Sequence, residues 1–131
     1  MTESREAARK LYQEVFAPSA SSVFSDSPSL GFASELSDLS MRNVFEALWL
    51  RPGLDRRARS LVTIGILIGR GQTQELKVHA AAAIRNGCTV EELEEVVYQA
   101  SGYAGFPAAV SAMITIGEGL RANGMLGPKP D

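Results

Sequence analysis

The segment that most constrains the fold is Leu61–Ile68, which reads Leu-Val-Thr-Ile-Gly-Ile-Leu-Ile. Taken alone, such an apolar and β-branched run is typical of a buried strand. The remaining sequence contains no second run of this kind, and a strand without a partner leaves its backbone N–H and C=O groups unsatisfied. We therefore predict that this segment is a fully buried central helix and that the chain is all-α.

Apolar stripes at helical spacing, together with the residues that begin and end them, predict about six helices. We expect one domain over residues 1–131. It consists of an N-terminal helix in 1–17, a serine-rich loop in 18–33 and a helical core in 34–124. The second helix is expected to turn five residues to its inner face: Leu36, Leu39, Val44, Phe45 and Leu48.

Several residues mark where helices begin and end. Thr89-Val90-Glu91-Glu92 is a capping box, in which Thr89 and Glu92 satisfy each other's backbone N–H groups. Gly87 suits a left-handed helix terminus, and Pro107 suits the first turn of the last helix. Ser4 and Thr73 are the expected caps of the first and fourth helices.

Composition and charge exclude several classes of function. Thirteen basic and fifteen acidic residues give a net charge of -2, which argues against nucleic acid as a partner. The single cysteine, Cys88, cannot form an intramolecular disulfide or a dithiol redox pair. The N-terminus lacks the apolar core of a signal peptide, and no apolar run could cross a membrane. We therefore expect a cytoplasmic protein without membrane contact.

Over half of the chain, from Trp49 to Leu120, resembles the carboxymuconolactone decarboxylase family. The order and spacing of the matching pieces make the resemblance specific. These pieces are Trp49–Asp55, Arg59–Thr63, Glu75-Leu76 with His79, Asn86-Gly87, Glu91-Glu92, Gln99 and Tyr103–Ala109.

The resemblance implies the alkylhydroperoxidase D-like helical fold and one of two activities. One is cofactor-free decarboxylation of 4-carboxymuconolactone, a lyase reaction of aromatic catabolism that uses no metal. The other is a dithiol peroxidase with a Cys-x-x-Cys-x-x-x-His motif. Counting that motif back from His79 places Glu75 and Gln72 where the cysteines would stand, so the peroxidase chemistry has no thiols to use.

His79 and Glu75 are the predicted catalytic residues. His79 is the single histidine, and Glu75 precedes it by one helical turn, which places both side chains on one face. A carboxylate beside an imidazole favours the protonated ring, so we expect a proton donor near neutral pH. A purely structural role remains open, with Glu75 at a helix N-terminus and His79 as a partly buried polar residue.

Three further residues are predicted to contact the substrate. Arg51 would bind its second carboxylate or its lactone oxygen, while Trp49 and Tyr103 are candidate pocket walls. For Tyr98 we expect core packing, because its apolar neighbours continue the helical stripe.

Alanine-rich faces and the small size of the chain predict self-association, and the resemblance implies a homo-oligomer, a hexamer or a trimer. Two alternatives to the decarboxylase stay open. The same scaffold could act on or bind another small ligand without decarboxylase activity, or it could be a helical oligomer without a catalytic role.

Overall fold

The computed structural model describes residues 2–19 and 30–131, and all regular secondary structure in those ranges is helical. The all-α prediction is therefore confirmed, and the strand-like run lies inside a helix. The six α-helices are α1 (Glu3–Leu11), α2 (Leu36–Ser40), α3 (Arg56–Arg70), α4 (Thr73–Arg85), α5 (Val90–Tyr103) and α6 (Phe106–Ala122). Two of them continue with π-helical winding, α1 over Tyr12–Phe16 and α2 over Met41–Trp49.

The chain divides into two compact units, Met1–Asp55 (the first unit) and Arg56–Asp131 (the second unit). The single-domain organisation stays a prediction, and most of the expected serine-rich loop lies outside the described residues. No helix in the described part of the chain has both the length and the apolar character needed to cross a membrane.

Aromatic rings form the interior of the first unit. The Phe16 ring lies 5.0 Å from Phe45 and 5.1 Å from Trp49 between centroids, and Tyr12 lies 5.1 Å from Phe45. Each edge-to-face pair of this kind adds about 0.5–1.5 kcal/mol beyond the apolar area that it buries. At the surface of the same unit, Glu46 accepts hydrogen bonds from Ser4 Oγ (2.9 Å) and Arg5 Nε (3.2 Å), which join the two helical segments.

The predicted inner face of the second helix is largely wrong. Phe45 is buried, but the other four residues of that face are 37–56% exposed: Leu36, Leu39, Val44 and Leu48. The stripe was derived for α-helical spacing, whereas this segment is π-helical from Met41 onward. A π-helix places more residues in each turn, so Val44 and Leu48 leave the buried side, which shifts to Phe45 and Trp49. Leu36 and Leu39 precede this segment and belong to α2, in which no residue is buried.

In the second unit, α3 is buried on one side only. Ile64 and Ile68 are fully buried, whereas Val62 and Ile66 are more than half exposed. The expectation of a fully buried helix is therefore wrong for this chain by itself, because α3 packs mainly on α4 and α5 and the side with Val62 and Ile66 stays exposed. Amphipathic packing of this kind still satisfies every interior backbone group of α3 within the helix, which a lone strand could not do.

Small residues bring α4 and α6 close together. Ala80–Ala83 are completely buried on α4, and Gly119 of α6 faces the backbone of Lys77. A Cβ atom at Gly119 would lie 2.7 Å from the Lys77 carbonyl oxygen, a distance that real Cβ contacts do not reach. Gly119 therefore permits this approach, and the helix that carries His79 packs directly on α6.

The helix boundaries test the expected caps one by one. The capping box is confirmed: Glu92 N donates to Thr89 Oγ1 (3.1 Å) and Thr89 N donates to the Glu92 carboxylate (2.9 Å). Gly87 has a φ of +100°, as a left-handed terminus requires, and Pro107 lies in the first turn of α6. The other two caps are wrong by one or two residues, since Thr2 caps α1 and α4 already includes Thr73.

Candidate active site

Glu75 and His79 lie together on α4, as their spacing predicts. The distance from Glu75 Oε2 to His79 Nε2 is 3.7 Å, which is an ion-pair distance rather than a hydrogen bond. Glu75 lies in the first turn, where the positive end of the helix favours a carboxylate. The sequence therefore correctly places an acid beside the imidazole.

The two side chains differ in their exposure to water. Of the Glu75 side chain 42% is exposed, against 15% for His79. The reason is the course of α4: directly after His79 the helix enters the interior with Ala80–Ala83. His79 thus stands where the helix passes from a half-exposed turn to a fully buried one.

Burial lowers the pKa of His79 from its ordinary value of 6.5 to about 4. The direction is opposite to the one expected from the neighbouring carboxylate, which would favour the protonated ring. Because the Glu75 side chain is 42% exposed and its carboxylate does not hydrogen-bond the ring at 3.7 Å, the loss of water around the imidazole dominates. The imidazole is therefore neutral at neutral pH before any ligand binds.

The residues expected to contact the substrate have different surroundings. Trp49 is 7% exposed and its ring packs on Phe16 in the interior of the first unit. Arg51 is exposed just after the π-helical segment, where its backbone N–H donates to Leu48 O. Both belong to the first unit, whereas the other predicted site residues belong to the second.

Tyr103 is the last residue of α5 and is 89% exposed. Together with Val62 and Gly65 of α3 it lines an open groove between α3 and α5, and His79 is not among the residues of that groove. The structure therefore does not bring Tyr103 to the imidazole along this groove. The core packing expected for Tyr98 is also wrong, because this residue is 61% exposed.

Two features of the second unit were missed at the level of sequence. Asn86 Nδ2 donates to Ser60 Oγ at 3.0 Å and ties the end of α4 to α3, while Asn86 Oδ1 is buried without a hydrogen-bond partner in the described residues. The second feature is a cavity of about 330 Å³ between α5 and α6, with Arg121 among its lining residues. A glycine one turn before an arginine, Gly117 and Arg121, is the sequence signal that could have drawn attention to it.

Comparison with known proteins adds information that geometry alone does not give. A model of the Carboxymuconolactone decarboxylase family matches residues 35–116, which is more than half of the chain. A 4-carboxymuconolactone decarboxylase from Acinetobacter baylyi is 42% identical over 82 residues, 63% of this chain and 61% of the relative. A nitrosuccinic acid decarboxylase, npaB, from Metarhizium robertsii is 48% identical over 67 residues, 51% of this chain and 47% of the relative.

A third relative, an uncharacterized 15.0 kDa protein from Paracoccus denitrificans, is 35% identical over 65 residues, 48% of each chain. The chain thus spans about half to three-fifths of the length of the curated relatives that it matches. The family match covers α2–α5 and most of α6, and includes both residues of the Glu75–His79 pair.

Proposed function

Since the chain belongs to the carboxymuconolactone decarboxylase family, with its alkylhydroperoxidase D-like helical fold, we propose that it decarboxylates a small carboxylated lactone without a cofactor. 4-Carboxymuconolactone is the first candidate substrate, which would make the chain a lyase of aromatic catabolism. The observation that carries the proposal is the partly buried His79 imidazole, 3.7 Å from the Glu75 carboxylate, inside the matched segment.

The reaction needs no cofactor because the substrate contains its own electron acceptor. When carbon dioxide leaves the ring carbon, the electron pair of the broken bond moves through the conjugated double bond onto the lactone carbonyl oxygen. The resulting anion is then protonated on the carbon next to that carbonyl. The protein must stabilise the oxygen, supply one proton and keep water away.

His79 is proposed as the general acid, and its low pKa defines how it would acquire the proton. Two carboxylates of the substrate, entering surroundings with little water, would favour the imidazolium and raise the pKa of His79 from about 4. Glu75 adds a third negative charge on the same face of α4 as the imidazole. Under this proposal His79 takes up a proton as the substrate binds and delivers it after carbon dioxide has left.

Arg51 is proposed to bind the carboxylate that remains on the product, or the lactone oxygen. A cation held against the departing carboxylate would stabilise the ground state more than the transition state and would slow the reaction. Trp49 is proposed as an apolar wall. Because Trp49 is packed so tightly, it would present one edge of its ring to the substrate rather than the whole ring. Tyr103 is proposed for the same role, although the groove that it lines does not include His79.

A second candidate substrate is nitrosuccinate, because of the 48% identity to a nitrosuccinic acid decarboxylase. The two acids share a chemical unit: one carbon carries both the carboxyl next to the electron acceptor and a CH2-carboxylate arm. In nitrosuccinate the nitro group receives the electron pair in place of the lactone. We therefore propose 2-substituted succinates with a built-in electron acceptor as the substrate class.

The alternative is that the scaffold binds or acts on another small ligand without decarboxylation.

We also propose a homo-oligomer, a hexamer or a trimer, in the cytoplasm. The exposed apolar residues Val62 and Ile66 of α3 and Val110 and Ile114 of α6 support self-association, because each pair forms an apolar stripe one turn long on a helix surface. Light scattering that gives a monomer mass at micromolar concentration would reject the oligomer.

The test is carbon dioxide release from 4-carboxymuconolactone and from nitrosuccinate, with His79→Ala and a matched Lys77→Ala variant. Lys77 is an exposed residue of the same helix, so its removal should leave turnover within about twofold. His79→Ala should lower turnover about 10²-fold or more, the typical effect of removing one donor to the developing charge. A loss of only a few fold removes His79 from the mechanism, and a folded protein inactive on both acids favours the alternative.

A further inference from the structure

The cavity of about 330 Å³ between α5 and α6 lies outside the proposed active site. It shares no residue with the Glu75–His79 pair, nor with Arg51, Trp49 or Tyr103. A volume of this size falls at the lower end of small-molecule sites, which span about 300–1,000 Å³. The cavity is therefore large enough for one aromatic ring with a short substituent.

The inner surface of this cavity is apolar and well packed. Leu93 of α5 and Ile116 and Leu120 of α6 form its floor, and each is at most 5% exposed. Val97 adds to the α5 wall, while the exposed Tyr98 and Met113 belong to its rim. Side chains in a packed core keep fixed positions, so this floor is preformed for an apolar group.

Arg121 supplies a positive charge held in place at the cavity. Its Nε donates to Gly127 O at 2.8 Å, and its Nη1 lies 3.1 Å from the point that a Cβ atom of Gly117 would occupy. Glycine inside a helix costs about 0.5–1 kcal/mol relative to alanine. Here the missing side chain leaves room for the guanidinium to lie against α6.

The terminal nitrogens of Arg121 remain available for a ligand. In the described part of the chain, the bond from Nε to Gly127 is the one hydrogen bond that the Arg121 side chain donates, and its guanidinium forms no ion pair. A guanidinium presents paired N–H donors in one plane, which matches the two oxygens of a carboxylate. The cavity thus combines an oriented anion-binding group with an apolar floor.

We propose that this cavity binds a small monocarboxylate with a compact apolar body. The carboxylate would pair with Arg121, and the body would lie on Leu93, Ile116 and Leu120. Glu94 also lines the cavity and repels anions, which disfavours a second carboxylate on the ligand. The ligand is in this respect unlike the dicarboxylates proposed for the active site, so the two proposals stand or fall separately.

Fluorine NMR of 4-(trifluoromethyl)benzoate tests the proposal on the whole chain. Its neutral isostere, 4-(trifluoromethyl)benzamide, has the same size without the charge. We expect line broadening and a saturable shift of the benzoate signal at submillimolar concentration, with weaker binding of the amide. Val97→Trp, which fills the cavity, should abolish binding of both probes.

Two charge variants act in opposite directions if the proposal is correct. Arg121→Gln should weaken benzoate binding about tenfold, as expected for a charge-assisted pair, while Glu94→Gln should strengthen it about twofold. Neither variant should change amide binding by more than about twofold. Circular dichroism of each variant establishes that the helices remain folded.

Three results would overturn the proposal. The first is absence of benzoate binding at millimolar concentration, including the case in which a second copy of the chain covers the cavity. The second is equal binding of benzoate and amide. The third is benzoate binding that persists unchanged in Arg121→Gln or in Val97→Trp.

Discussion

The two units of the chain differ in the residues through which their helices approach each other. In the first unit a few large rings fill the space, with Phe16 only 1% exposed between Phe45 and Trp49. In the second unit α4 and α6 approach through Ala80–Ala83 and Gly119, where side chains are short or absent. The packing of the first unit therefore depends on large side chains that fill space, whereas the contact of α4 with α6 depends on side chains that are short or absent. Substitutions that remove or add atoms should therefore affect the two units differently.

Removal of a ring from the first unit should change stability most. Phe16→Ala should lower the free energy of unfolding by about 3–5 kcal/mol, because it removes a fully buried ring and leaves a cavity. Phe32→Ala is the matched control, since Phe32 is 84% exposed and its loss should change stability by less than about 0.5 kcal/mol. Urea denaturation followed by circular dichroism measures both values. Equal losses for the two variants would contradict a ring-dependent interior.

The second prediction concerns the pH dependence of stability. In the second unit, burial lowers the pKa of His79 to about 4 from its ordinary 6.5, so between these values the unfolded chain binds more protons. The contribution of the neutral His79 to the free energy of unfolding is therefore fully present above pH 6.5. It is lost as the pH falls toward 4, by about 3 kcal/mol in total. Urea denaturation across this range should show the loss in the wild type but not in His79→Gln.

The stability of the first unit should depend on pH in a more acidic range, through a different group. The pKa of Glu46 is lowered by the hydrogen bond from Ser4 and by Arg5, so its contribution is present above its ordinary pKa of 4.5 and is lost as the pH falls below it. Glu46→Gln should therefore differ from the wild type in its pH dependence only in this more acidic range. If the stability of Glu46→Gln changed with pH differently from the wild type between pH 5 and 6.5, the assignment of that range to His79 would be contradicted.

The last prediction compares two glycines of α6. Gly119→Ala should destabilise the chain by about 1–3 kcal/mol, because its methyl group would overlap the backbone of Lys77. Gly117→Ala should change stability by less than about 1 kcal/mol, because the Arg121 guanidinium can move and alanine is the better helix former. Thermal denaturation of both variants decides the matter. A stable Gly119→Ala variant would argue against the close approach of α4 and α6.

Local features of the fold could be predicted from the sequence, because they depend on residues near one another in the chain. The capping box at Thr89, the left-handed Gly87 and the proximity of Glu75 to His79 all belong to this group. The helical state of Leu61–Ile68 also followed, since no partner strand was available.

Features that depend on distant segments could not be predicted. Period counting assumes α-helical winding, so it wrongly predicted that Val44 and Leu48 of the π-helical segment after Ser40 face inward. The spacing of Glu75 and His79 indicates their proximity but not their exposure, and exposure decides the direction of the His79 pKa. The cavity at Arg121 likewise requires the packing of α5 on α6, which no local motif encodes.

The contact between Gly119 and the Lys77 carbonyl leaves α6 one axial alignment along α4. A slide by one residue would turn α6 by about 100° and bring Glu118 or Leu120 toward that carbonyl. An insertion between α5 and α6 should therefore lengthen the turn at Gly105 and leave the alignment of α6 unchanged. Since His79 lies two residues from Lys77, length variation in that turn would not alter the depth of the imidazole.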